Sequence, residues 1–196
     1  MTLGNTVRYG TWSLAVGLQI LVLTGCATTG RVADNTFRDA RHGIRITFPS
    51  DYSVKPASDR NSRYRVKAVR RVPPSDKRSE AIVPSYGLYV APKSALQRRA
   101  NTNDELFEDF VSLESDNYCA RLYRIVARPH GDRTVKLPTG VTALIRHFNS
   151  SVLLPGDTTA YGNGMAAFLD GGDCFVKLEY VADSASFDTA EFLGIL

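Results

Sequence analysis

The residues best equipped for chemistry in this 196-residue chain are three cysteines and three histidines, and their spacing decides what chemistry is open to them. The cysteines stand at 26, 119 and 174, the histidines at 42, 130 and 147. No HExxH, CxxC, P-loop or GxSxG pattern occurs, so zinc-protease, thioredoxin, nucleotide-binding and hydrolase-elbow chemistry all lack a local signature. Each histidine reads as a surface or packed residue: His42 borders an N-terminal tether, His130 lies in the turn Pro129-His130-Gly131-Asp132, and His147 falls on a strand. No catalytic residue, metal ligand or cofactor is assigned.

Cys26 is different, because of what precedes it. Leu14 to Leu23 form an apolar run whose only polar side chain is that of Gln19, and Arg8 lies upstream. A bilayer span needs roughly 20 apolar residues, so this run matches the hydrophobic region of an export signal. Thr24 and Gly25 follow, small residues that leave the backbone accessible to a peptidase. Leu23-Thr24-Gly25-Cys26 resembles the lipobox of bacterial lipoproteins at all four positions. That resemblance implies a diacylglycerol thioether on Cys26, cleavage just before it, and acylation of the new amine, for example by palmitate. Each buried methylene contributes about 0.8 kcal/mol and two chains suffice for stable anchoring, so no transmembrane helix is required. Lipoproteins kept in the inner membrane often carry aspartate after the cysteine, and this chain has Ala27. The expected location is the cell envelope, on the periplasmic face of the outer membrane if the cell has two membranes.

Cys119 and Cys174 then remain as an even pair. In an oxidising compartment they read as a disulfide, which on the chain-entropy model adds about 4 kcal/mol; the other reading is two separate buried thiols.

Removing the first 25 of 196 residues leaves 171, enough for one well-buried domain. Residues 26–42 read as the lipidated cysteine and a flexible tether, and 43–196 as one globular domain. Ile44, Ile46 and Phe48 alternate with Arg45 and Thr47, the period of a half-buried strand. Tyr64, Val66 and Ala68 alternate with Arg63, Arg65 and Lys67, and Arg71 follows. These four basic residues would form a ribbon, either a solvated edge strand protected by its charge or a patch for an anionic partner. Export makes nucleic acid an unexpected partner.

Thr102-Asn103-Asp104-Glu105 fits a capping box, with Leu106, Phe110 and Leu113 along one helical face. Strands are expected over Cys119–Ala127, Thr134–Leu137, Val141–Phe148, Gly164–Leu169 and Cys174–Tyr180, with Asp170-Gly171-Gly172-Asp173 as a hairpin connection. Tyr161-Gly162-Asn163-Gly164 reads as a turn, and Ser186–Leu196 as a terminal helix.

Gly43-Ile44-Arg45-Ile46-Thr47-Phe48-Pro49-Ser50-Asp51-Tyr52 resembles the opening strand and turn of PsbP/Mog1-like domains, and the order of later elements is also similar. The resemblance implies an α+β fold, a single antiparallel sheet flanked by helices as an α/β/α sandwich, and a non-catalytic, partner-binding role. The expectation is therefore an envelope lipoprotein acting as a binding or accessory subunit. An envelope hydrolase with dispersed residues and a purely structural surface lipoprotein are the alternatives.

Overall fold

A two-residue turn sets up the N-terminal part of the fold. Asp34 and Asn35 both adopt positive φ (47° and 56°), the geometry that closes a tight hairpin and that Asp and Asn tolerate best among side-chain-bearing residues. The turn joins β1 (Gly30–Ala33) to β2 (Thr36–Asp39), and β2 pairs with β3 (Ile44–Thr47). The segment expected to be a flexible tether up to residue 42 is therefore folded from Gly30 onward. This corrects the boundary at Gly43.

The computed structural model describes residues 30–56, 65–71, 82–96, 102–115, 128–153 and 159–196. The strand expected over Cys119–Ala127 lies outside them. Besides the three-stranded sheet there is a seven-stranded one, formed by β4 (Tyr52–Pro56), β5 (Val66–Arg70), β6 (Ser85–Pro92), β7 (Arg128–Lys136), β8 (Thr142–Leu153), β9 (Thr159–Asp170) and β10 (Cys174–Asp183). Its order is β4-β5-β6-β10-β9-β8-β7, antiparallel at every pairing. The helices are α1 (Lys93–Leu96), α2 (Asn103–Ser115) and α3 (Thr189–Ile195). The fold is thus predominantly antiparallel β with few helices, and the single sheet expected from sequence is two sheets.

Alternation along β10 shows how the large sheet is covered. Cys174, Val176, Leu178 and Tyr180 enter one apolar cluster with Phe37 and Phe48 from the small sheet side and Phe192 of α3. Phe175 and Val181 point the other way, into a cluster with Leu106, Phe110 and Val111 of α2. All of these side chains are buried. Strands covered on both faces lose the polar half of their pattern, which is why β10 carries apolar residues at both parities.

Asn35 locks the small sheet to the large one. Its side-chain amide donates to the carbonyls of Pro49 (2.7 Å) and Tyr52 (3.3 Å), and its own carbonyl accepts from Phe48 N (2.9 Å). The capping box forms as expected: Thr102 Oγ1 accepts from Glu105 N, and Glu105 Oε2 accepts from Thr102 N, both at 3.2 Å. Leu113 departs from expectation, being 40% exposed, while Glu114 on the adjacent position is buried.

Two glycines misled the reading of Tyr161–Gly164 as a turn. Both lie inside β9, where a Cβ on Gly162 would meet the Ala182 carbonyl at 2.5 Å and one on Gly164 the Phe148 ring at 2.2 Å. They permit close approach within a strand, the other recurrent use of glycine in sheets. Likewise His130 belongs to β7, beside a register shift between Pro129 and Gly131, and not to a turn.

Candidate functional site

Of the residues that sequence singled out, Cys26, Arg63 and Cys119 lie outside the described residues. Arg65, Lys67 and Arg71 flank or occupy β5, with Arg65 and Lys67 half-buried and Arg71 exposed. Because β5 pairs with β4 on one side and β6 on the other, the ribbon is not on an edge strand, and defence of an edge does not explain its charge. Cys174 begins β10 as a free, fully buried thiol, and no disulfide is present among the described residues. Burial, with the Asp173 carboxylate next in effect, pushes that thiol up to about 11, so it is protonated and unreactive at neutral pH.

The structure brings together two polar clusters that sequence reasoning missed, one on each face of the large sheet. On the first face, Tyr86 and Tyr180 are cross-strand partners with stacked rings 4.6 Å apart, and Tyr52 packs against Tyr86 at 5.2 Å. Their hydroxyl ends meet the first turn of α3. Glu191 Oε1 accepts from Tyr52 (2.8 Å) and Tyr86 (2.7 Å), while Oε2 accepts from Arg70 Nη2 (2.9 Å). Arg70 also lies 3.2 Å from Asp51 and above the Tyr52 ring. Asp188 caps the helix, accepting from Ala190 N and Glu191 N, and so fixes where Glu191 projects. Burial, then the bond each hydroxyl gives to Glu191, raises both Tyr52 and Tyr86 far above the ordinary phenol range. They are donors at any physiological pH and cannot serve as bases.

On the second face, Lys177 is 1% exposed in the middle of β10, under α2. Its Nζ lies 3.1 Å from Glu179 and 3.1 Å from Glu114. Alternation puts Lys177 and Glu179 on the face of β10 opposite Cys174, Val176, Leu178 and Tyr180; that face is covered by α2, and both are buried. Desolvation works against the ammonium, but the two carboxylates outweigh it and the net direction is upward, keeping Lys177 charged. Nearby, Lys93 bridges Asp170 (2.7 Å) and Asn103 (2.6 Å) over the Phe175 ring, tying α1 and the start of α2 to the end of β9.

A third pair joins buried Asp39 of β2 to His42, Oδ2 to Nδ1 at 2.8 Å, with the His42 side chain 5% exposed. His42 is thus a packed residue of the folded body and borders no tether. In all three clusters the reactive atoms are held by partners from the same fold. Glu191 was detectable in sequence only as an acid in a short helix, and its partners come from 105 to 139 residues away.

No family model and no curated protein matches the chain. Among solved structures it is similar to cyanobacterial PsbP (CyanoP) from Synechocystis sp. PCC 6803, determined in solution. The two share 13% identity at a TM-score of 0.47, over 87% of this chain and 92% of that one.

Proposed function

We propose that this protein is an envelope lipoprotein, held at a membrane through acyl chains on Cys26 and acting as a non-enzymatic binding or accessory subunit. The observation that carries the reading is the tetrapeptide Leu23-Thr24-Gly25-Cys26 closing an apolar run just before the folded body starts at Gly30. An export signal followed at once by a domain is what a lipid-anchored protein needs, because cleavage before Cys26 leaves the domain whole. The interior supports the accessory role. Glu191, Lys177 and Asp39 are committed to tyrosine, arginine, carboxylate and histidine partners that hold helices and strands in place. A binding protein presents its outer surface to a partner, and an anionic component of the envelope fits the excess of Lys and Arg over Asp and Glu, 24 against 20.

Cell fractionation tests this. The wild-type chain is expected in the membrane pellet and released by detergent, whereas Cys26→Ser is expected in the soluble or unprocessed fraction. A Cys26→Ser chain that is cleaved to the wild-type size and still sediments with membranes as the wild type does would refute the anchor.

A further inference from the structure

The small sheet carries arginines in register. Arg31 of β1 lies opposite Arg38 of β2, and Arg38 opposite Arg45 of β3, on the face turned away from buried Phe37. All three are exposed, and so is Arg41 in the β2–β3 connection. Among the described residues none of the four is in an ion pair. The nearby acids are directed elsewhere: Asp39 is buried with His42, and Asp34 sits in the turn at the opposite end of the hairpin. Like charges directly opposite each other on neighbouring strands destabilise a sheet, so a row of three costs stability that a bound anion would return.

The position of the row says which anion. It lies at the end of the small sheet where the chain enters, with Arg31 next to Gly30. Three residues separate Cys26 from Gly30, and the four Cα-to-Cα steps between them reach at most about 14 Å when fully extended. Three neighbouring strands span about 10 Å from first to last. Acyl chains on Cys26 therefore bring their leaflet within reach of every guanidinium in the row. We propose that Arg31, Arg38 and Arg45, with Arg41 beside them, form a docking surface for the anionic phospholipid headgroups of the leaflet that anchors the protein. This rests on the lipid-anchor reading for its geometry, and it sets the orientation of the domain, with the arginine face of the small sheet turned to the membrane.

The test separates docking from anchoring. The chain from residue 26, which contains every described residue, is made with Cys26→Ser so that no acyl chain contributes. Its sedimentation is measured with vesicles of phosphatidylcholine and with vesicles containing about a third phosphatidylglycerol. Binding is expected to the anionic vesicles only and to fall as salt is raised. At about fivefold per arginine, Arg31→Ser/Arg38→Ser/Arg45→Ser lowers the partition coefficient on the order of a hundredfold, and Arg31→Lys/Arg38→Lys/Arg45→Lys retains most of it. Circular dichroism is expected to show all variants folded; the salt dependence of the unmodified row serves as the readout should the serine variant unfold. Equal binding to neutral vesicles, salt-independent binding, an unaffected serine variant, or capture by anionic polysaccharide with none by vesicles would each overturn the proposal. Loss of the Cys26 anchor in cells would leave this result standing, and failure of vesicle binding would leave the anchor standing.

Discussion

The two faces of the seven-stranded sheet both bury charge, but they neutralise it differently. Beneath α2 a single ammonium, Lys177, is shared by two carboxylates, Glu114 and Glu179, beside an apolar cluster of aliphatic and aromatic side chains. Beneath α3 a single carboxylate, Glu191, takes hydrogen bonds from two neutral phenols and one guanidinium, and its side chain is 19% exposed. The first arrangement depends on full charges in a dry site; the second spreads one charge over dipoles near the surface. Removing one member should therefore cost most where charge is left alone and driest.

That contrast is sharpest in Lys177→Met. It leaves two carboxylates buried without their cation, and the expected loss is about 3–5 kcal/mol by urea denaturation. Replacing all three charges with apolar residues of similar size should recover most of the loss, which would show that the triad places α2 and adds little net stability. On the other face, Glu191→Leu leaves two buried hydroxyls without their acceptor and Arg70 with Asp51 as its remaining carboxylate. The expected loss is about 2–3 kcal/mol, smaller because water can reach the site. If Glu191→Leu proved the more damaging of the two, the contrast between the faces would fail.

Alkali should separate the faces by proton count. Tyr52 and Tyr86 have folded-state values raised above the unfolded value near 10, so their contribution is complete below pH 10 and is lost as pH rises above it. Two such groups give a decline of about 2.7 kcal/mol per pH unit. Lys177, Tyr180 and Cys174 are raised as well and add protons of the same sign in alkali. Phenolate absorbance should then rise together with unfolding, and Tyr52→Phe/Tyr86→Phe should remove the share of the alkaline slope that these two groups contribute. The smallest effect is expected at the rim of α2, where Thr102→Ala removes an exposed cap worth about 1 kcal/mol by thermal melting.

What sequence disclosed follows from which interactions are local. The capping box spans four residues and was legible in full, and β3, β10 and α3 were legible in outline, since their periods or caps are continuous in the chain. The hairpin at Asp34-Asn35 was not read from the sequence, because its strands are only four residues each and Arg31 and Arg38 interrupt the apolar pattern. The face of Lys177 and Glu179 was not legible. Alternation locates a face but not what covers it, and α2 comes from some 60 residues earlier. Glycine in β9 was ambiguous for a related reason, since only the neighbouring strands show that Gly162 and Gly164 make room for Ala182 and Phe148. The tyrosines converge because β6 pairs with β10 and β4 lies one strand beyond, across β5, a consequence of topology that no spacing encodes.

Whether acyl chains on Cys26 hold this body to a leaflet is tested most directly by mass spectrometry of the N-terminal peptide from protein purified out of its own membranes. The expected peptide begins at Cys26 and carries the mass of a diacylglycerol on sulfur, with or without a further acyl group on the amine. A peptide beginning at Met1, or a Cys26 thiol with no added mass, would contradict it.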